Sequence, residues 1–242
     1  MNKNRKAVYT VFFMALLLNA AYWHNVKSIR AAWENVPPVP SKAQALNFSL
    51  GDGQLSYRSI GIMLQNLGST GGRIVPLHEY NYDKLVEWFF LTDSLDPKSN
   101  FISRLAAYYY GSSQDKEDLR KLLVFLEKQG TANTGRKWLL LVYGMKIARY
   151  ELGDMDKALH FANLLANLDN PDMPDWTRRA PAIILSAKGD KEAAYRILVN
   201  LLKSEGEKIH PNEVNFIVHH ICEDLLSSVE AINNPVCRNI YR

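Results

Sequence analysis

"YNYDKLVEWFFLTDSLDP", Tyr80 to Pro97, sets Trp88, Phe89 and Phe90 in a row and closes on Leu-Asp-Pro. So many rings suit a helix that forms half of a unit stacked on copies of itself, with the rings filling the seam. The copies are present. "NYDKLVEWFF" at Asn81, "DKEDLRKLLVF" at Asp115, "DMDKALHFANLL" at Asp154 and "DKEAAYRILVNLL" at Asp190 follow one pattern. Taking the fifth residue of each as anchor, Leu85, Leu119, Ala158 and Ala194 stand 34, 39 and 36 residues apart. Three, four and seven residues beyond each anchor come Trp88, Phe89 and Thr92; Leu122, Leu123 and Leu126; Phe161, Ala162 and Leu165; Ile197, Leu198 and Leu201. That is one helical stripe repeated four times, with Thr92 its polar exception. Four residues before each anchor stands Asn or Asp, a side chain that accepts from a free amide of the first helical turn.

Another apolar helical segment precedes each later copy: "SNFISRLAAYYYG", "GRKWLLLVYGMKIARYELG" and "PDWTRRAPAIILSAKG". For the first copy, Tyr57 to Leu67 serves, followed by an inserted loop from Gly68 to Val75. The unit is therefore helix, short turn, helix, and the expected fold class is all-α. "GSTGGR" in the inserted loop lacks the Lys and hydroxyl of a phosphate-binding loop, and no buried strand precedes it. It reads as a plain loop.

The turns carry a resemblance. "ARYELGDMDKAL", Ala148 to Leu159, with Gly153-Asp154 at the turn and Ala158 at a small crossing position, resembles the tetratricopeptide repeat, as do "AKGDKEAA", Ala187 to Ala194, and the closing Leu-Asp-Pro at 95 to 97. The resemblance covers Tyr80 to Gly206. Three positions depart from the pattern: Trp138 is not at the usual distance from the turn glycine, Pro181 interrupts a first helix, and Gln114 stands in place of the glycine. The resemblance implies stacked helical hairpins in a right-handed α-solenoid, whose first helices line a concave groove. It places Phe101, Arg104, Tyr108, Tyr143, Tyr150, Trp176 and Arg179 on that groove. Rings with arginines suit an extended protein or peptide segment bearing a carboxylate.

The first 23 residues are of another kind. Lys3, Arg5 and Lys6 precede "AVYTVFFMALLLNAAYW", Ala7 to Trp23, a run without charge at the short end of what spans a bilayer. Tyr22 and Trp23 stand where an interfacial aromatic belt would lie, and Lys27 and Arg30 follow within reach of headgroups. A cleaved signal peptide shares the basic start and apolar middle, but no convincing cleavage site follows. The expected organisation is a basic tail (1–6), a transmembrane anchor (7–23), a juxtamembrane and Pro-rich spacer through "ENVPPVPSK" (24–45), the repeats (46–206), and a capping helix with tail (207–242). The charge bias favours a cytoplasmic N-terminus and an extracytoplasmic main domain, periplasmic in a bacterium.

Composition narrows the function. The formal net charge is +4, yet without Lys3, Arg5 and Lys6 the remaining 26 basic residues face 25 acidic ones. A nucleic-acid partner normally needs a basic excess, so none is expected. The segment "HPNEVNFIVHHICEDLLSSVEAI" reads as the cap, with Pro211 in its first turn and Val214, Ile217, Val218, Ile221 and Leu225 on one face. It also holds His219, His220, Glu223 and Asp224, a cluster without a second set of ligands, so no metal or other cofactor is expected. Cys222 and Cys237 are the two cysteines. If the domain lies outside the cytoplasm they are a candidate disulfide tying the tail to the capping helix, with two free cysteines as the alternative. No catalytic residue is nominated. The expected function is a membrane-anchored scaffold or adaptor for a protein partner, in envelope assembly or biogenesis. The alternative is an envelope-pathway enzyme, or a secreted helical protein, with an active site the sequence does not reveal.

Overall fold

The computed structural model describes residues 3–27, 35–68 and 74–238, and no strand occurs among them. The chain falls into two compact units, Met1–Glu34 and Asn35–Arg242. The first holds α1 (Lys3–Val26). The second contains α2 (Lys42–Phe48), α3 (Gly53–Gln65), α4 (Tyr82–Leu95), the one-turn α5 (Phe101–Arg104), α6 (Lys116–Gly130) and α7 (Leu139–Lys146). It continues through α8 (Met155–Ala166), α9 (Ala180–Lys188), α10 (Lys191–Glu205), α11 (Pro211–His219) and α12 (Ser228–Asn233).

Within α1, the stretch Ala7–Val26 is long and apolar enough to cross a membrane, and none of it is buried. The helix runs three residues past Trp23, and the Lys27 ammonium lies 5.3 Å from the centre of the Trp23 ring. The side chains of Lys3, Arg5 and Lys6, the whole of Arg30, and loop residues 69–73 lie outside the described residues.

In the second unit the four marked residues start four helices. Asn81 accepts from the amide of Lys84, Asp115 from Glu117 and Asp118, Asp154 from Lys157, and Asp190 from Ala193. Each satisfies donors that the first turn leaves free. The stripes behind these caps face inward: Leu85, Phe89, Leu119, Leu122, Leu126, Ala158, Phe161, Leu165, Ala194 and Leu198 are all sealed from solvent. Thr92 is buried too, because its hydroxyl donates back to the Trp88 carbonyl at 2.7 Å.

The turns before α8 and α10 are made by Gly153 (φ 69°) and Gly189 (φ 93°), in the left-handed region where a side chain is strained. Each joins two helices that pack on one another, α7 on α8 and α9 on α10, so these are helical hairpins. The earlier hairpin, which lacks a glycine at Gln114, closes differently: α5 runs into a π-helical segment, Leu105–Tyr109, and a 3-10 turn, Tyr110–Ser112. Similar π segments follow α7, at Ile147–Leu152, and α11, at His220–Leu225. A π turn takes up more residues than an α turn. One such segment lies between Trp138 and Gly153. Pro181 does not break a helix; it sits in the first turn of α9, where its missing N–H is not needed, after a 3-10 stretch at Asp175–Arg179.

Within the Pro-rich spacer, the described part from Asn35 onward is docked on the unit. Val36 is fully buried, and the Trp88 indole donates to the Pro37 carbonyl at 2.9 Å. Trp88 therefore packs under this segment, whereas Phe89 fills the seam with Tyr110 and Phe125 at ring distances of 5.3 and 5.4 Å. The buried residues form two clusters, one running from Val36 to Ile184 and a smaller one from Ala182 to Cys237. Cys222 and Cys237 are joined, their Cα atoms 5.8 Å apart, which ties the last 3-10 turn to the segment after α11.

Inside the larger cluster lies a charge pair. Lys137, in the turn before α7, donates to both carboxylate oxygens of Asp93 on α4 at 2.6 and 2.7 Å, with both side chains sealed off. Burial pushes the Asp93 carboxyl above its ordinary range, and Lys137 opposes that shift. Removing one partner leaves the other buried and unpaired, at a cost of about 3–5 kcal/mol, whereas an apolar pair of similar volume is tolerated. Chemical denaturation of Lys137→Met and Asp93→Leu should show losses of about that size, and Lys137→Met/Asp93→Leu together should recover most of it. Additive losses in the double variant would contradict this account.

Candidate binding cleft

A cleft of about 430 Å³ and a second of about 230 Å³ open on either side of one pair of rings, Tyr108 and Tyr143. The π segment after α5 presents Tyr108, and α7 presents Tyr143. Their ring centres lie 4.5 Å apart and their hydroxyls are in contact. The smaller cleft also has Asn100, Arg104, Arg136 and Lys137 in its walls, and none of its wall residues is acidic.

The charges of this cleft are unequal in kind. Lys137 is neutralised by Asp93. Arg104 and Arg136 are exposed and make no ion pair among the described residues. Two guanidinium groups without an ion-pair partner, beside aromatic rings, have the chemistry to receive a carboxylate or phosphate, through forked hydrogen bonds and stacking. The volume is below the roughly 300–1,000 Å³ of small-molecule sites, so an acidic side chain or chain terminus fits better than a large cofactor. The larger cleft is mixed in sign, with Lys146 and Glu151 both in its walls.

Of the seven residues expected on a groove, the structure gathers Arg104, Tyr108 and Tyr143. Phe101 covers Gly61 of α3, where an added Cβ would lie 3.0 Å from its ring. Tyr150 is exposed, with the Arg149 guanidinium 4.9 Å from its ring centre. Trp176 packs edge-on against buried Trp138 at 6.3 Å. Arg179 has partners within the chain: its Nε donates to Glu213 and its guanidinium lies 3.7 Å from the Phe216 ring centre. Arg179 is thus a clamp on α11 and no wall of either cleft. Arg136 escaped the sequence reading because "GRKW" offers two adjacent cations, and nothing in the string tells which is buried.

In the C-terminal cluster, His220 Nδ1 lies 2.6 Å from Asp224, while Nε2 is buried with no hydrogen-bond partner. The ring is half-buried, stacked on the Phe216 ring at 6.1 Å. No group of three or more potential metal ligands gathers among the described residues. Compared with protein-family models, curated proteins and solved structures, the chain matches none of them. What defines its class is therefore its own architecture: an all-helical unit of packed neighbours, and one helix able to cross a membrane.

The two arginines should respond differently. Arg179→Glu faces Glu213 and loses its ring contact, so the thermal transition should fall by the equivalent of about 2 kcal/mol or more. Arg104→Glu, on the open side of the cleft, should stay within about 0.5 kcal/mol of the parent. Equal losses in calorimetry would place Arg104 in the packing as well.

Proposed function

We propose that this protein is a membrane-anchored scaffold of the tetratricopeptide-repeat kind, whose hairpins stack as a right-handed α-solenoid and hold a protein or peptide partner by an acidic group. The observation that carries this reading is the cleft in which Arg104 and Arg136 stand without a carboxylate partner beside Tyr108 and Tyr143. The repeated caps, inward stripes and left-handed glycine turns support the family resemblance. Binding is non-covalent, and no step of bond chemistry is assigned to the chain. The anchor confines the cleft to two dimensions, which raises the effective concentration of partners at the same membrane. The bond between Cys222 and Cys237 supports an oxidising compartment, with the N-terminus in the cytoplasm and the main domain outside it.

Two experiments test this. The full chain in lipid nanodiscs, screened on an array of random peptides, should retain acidic ones. The substitutions Arg104→Glu and Arg136→Glu together should weaken that retention by about tenfold or more, since hydrogen bonds to charged groups contribute roughly 1.5–3 kcal/mol each. Retention of the same peptides by the double variant would remove the cleft from consideration.

The second concerns topology. A reporter active only outside the cytoplasm, fused after Arg242, should be active, the protein should resist alkaline extraction, and alkylation without reductant should leave both cysteines unmodified. Release into the soluble fraction would refute the anchor, and labelling of both cysteines would refute the bond.

A further inference from the structure

The loop between α2 and α3 presents apolar side chains that the cleft above does not use. Phe48 is 88% exposed and Leu50 98% exposed. Leu50 also sits at φ 53°, in the left-handed region that a leucine enters at a cost. The turn is nonetheless fixed: the Leu46 carbonyl accepts from Ser49 Oγ at 2.9 Å and from the Gly51 amide at 2.8 Å. A strained, hydrogen-bonded turn that aims a leucine at solvent is not explained by the fold of the unit itself. Leu55 and Ile62, two turns apart on one side of α3, extend the exposed apolar surface. Between α2 and α3 opens a cleft of about 360 Å³, lined mainly by apolar groups including Pro40, Ala45, Phe48, Leu55, Met63 and Trp88.

The occupant is indicated by where this surface lies in the chain. Val36, locked into the core, comes ten residues after Val26, the last residue of the stretch long enough to cross a membrane. Ten residues span at most about 36 Å even when fully extended. The segment from Val36 to Pro40 then runs directly into the wall of the apolar cleft. Arg58, on α3 between Leu55 and Ile62, is exposed and makes no ion pair among the described residues. A cation between exposed aliphatic groups, on the helix that follows Phe48 and Leu50, matches the boundary between anionic headgroups and acyl chains.

We propose that Phe48, Leu50 and Leu55 insert into the interfacial layer of the bilayer that holds α1, making the α2–α3 loop a second, peripheral membrane contact. This rests on reading α1 as a membrane anchor. Such a contact restricts rotation of the Asn35–Arg242 unit about its tether and fixes which of its faces meets a partner.

The test uses the full chain reconstituted in vesicles containing an anionic phospholipid. Leu50→Cys is labelled with an environment-sensitive nitrobenzoxadiazole probe, and the parent chain gives the background from Cys222 and Cys237. Glu192→Cys, exposed on α10, is the comparison site. The probe at position 50 should emit to the blue of the one at 192, and lipids carrying a shallow acyl nitroxide should quench it about twofold. Adding Phe48→Asp and Leu55→Asp should abolish the quenching while the protein still floats with the vesicles. Flotation without quenching at position 50 overturns the proposal and leaves the anchor standing. A blue shift that depends on protein density and resists lipid quenching overturns it in favour of a second copy. Failure to float removes the anchor and this inference together.

Discussion

The ion pair between Asp93 and Lys137 joins side chains 44 residues apart in sequence. A stack held together by apolar stripes alone has little to fix its register, because one aliphatic contact substitutes readily for the next. A buried charge pair has no equivalent neighbour: a shift by one helical turn would strand both groups in a region that water does not reach. Here the pair bridges α4 and the turn entering α7, so it brackets the intervening α5–α6 hairpin, whose Tyr110 and Phe125 pack on Phe89. It acts on the cleft as well. Lys137 follows Arg136 in the turn Gly135–Trp138, whose backbone leaves helical values at Arg136 (φ −92°, ψ 18°). With Lys137 drawn inward to Asp93, its neighbour Arg136 is left pointing outward beside Arg104. The interaction that sets the register also sets the charge of the candidate site.

The features legible in the sequence are those governed by nearest neighbours along the chain. Asn81, Asp115, Asp154 and Asp190 start helices because capping needs only a local oxygen and a free amide. Gly153 and Gly189 turn the chain because the left-handed region favours glycine over residues with a side chain. What stayed hidden depends on contacts between distant segments. The docking of Pro37 under Trp88 turns a stretch that reads as a spacer into part of the unit. Arg179 reads as a groove residue from its offset to the turn, but Glu213 and Phe216 arrive from α11 and claim it. The π segments follow the same logic, since their extra residue per turn leaves no mark in a pattern of apolar spacing.

Those π segments recur after α5, α7 and α11, the first two leading directly into a turn. A π turn shifts the register of everything beyond it on the helix surface. Tyr108 lies within the first, so the wall it forms with Tyr143 depends on that widening as much as on the identity of the two rings.

The C-terminal cluster faces a different constraint. Ala182 packs with it while Ile184, two residues on, packs with the larger core, so α9 is shared between the two. The smaller cluster has fewer buried side chains to hold it, and other ties compensate for that. Three devices do so here: the Arg179 clamp on Glu213 and Phe216, the Arg178 pair with Glu205, and the bond between Cys222 and Cys237. Closing a loop of this length removes roughly 3 kcal/mol of unfolded-state freedom in the chain-entropy account. That is comparable to what one well-buried ring contributes, and it acts in the smaller of the two clusters. The covalent tie therefore belongs to the smaller cluster, while the larger one is held by its packing and by a buried pair of charges.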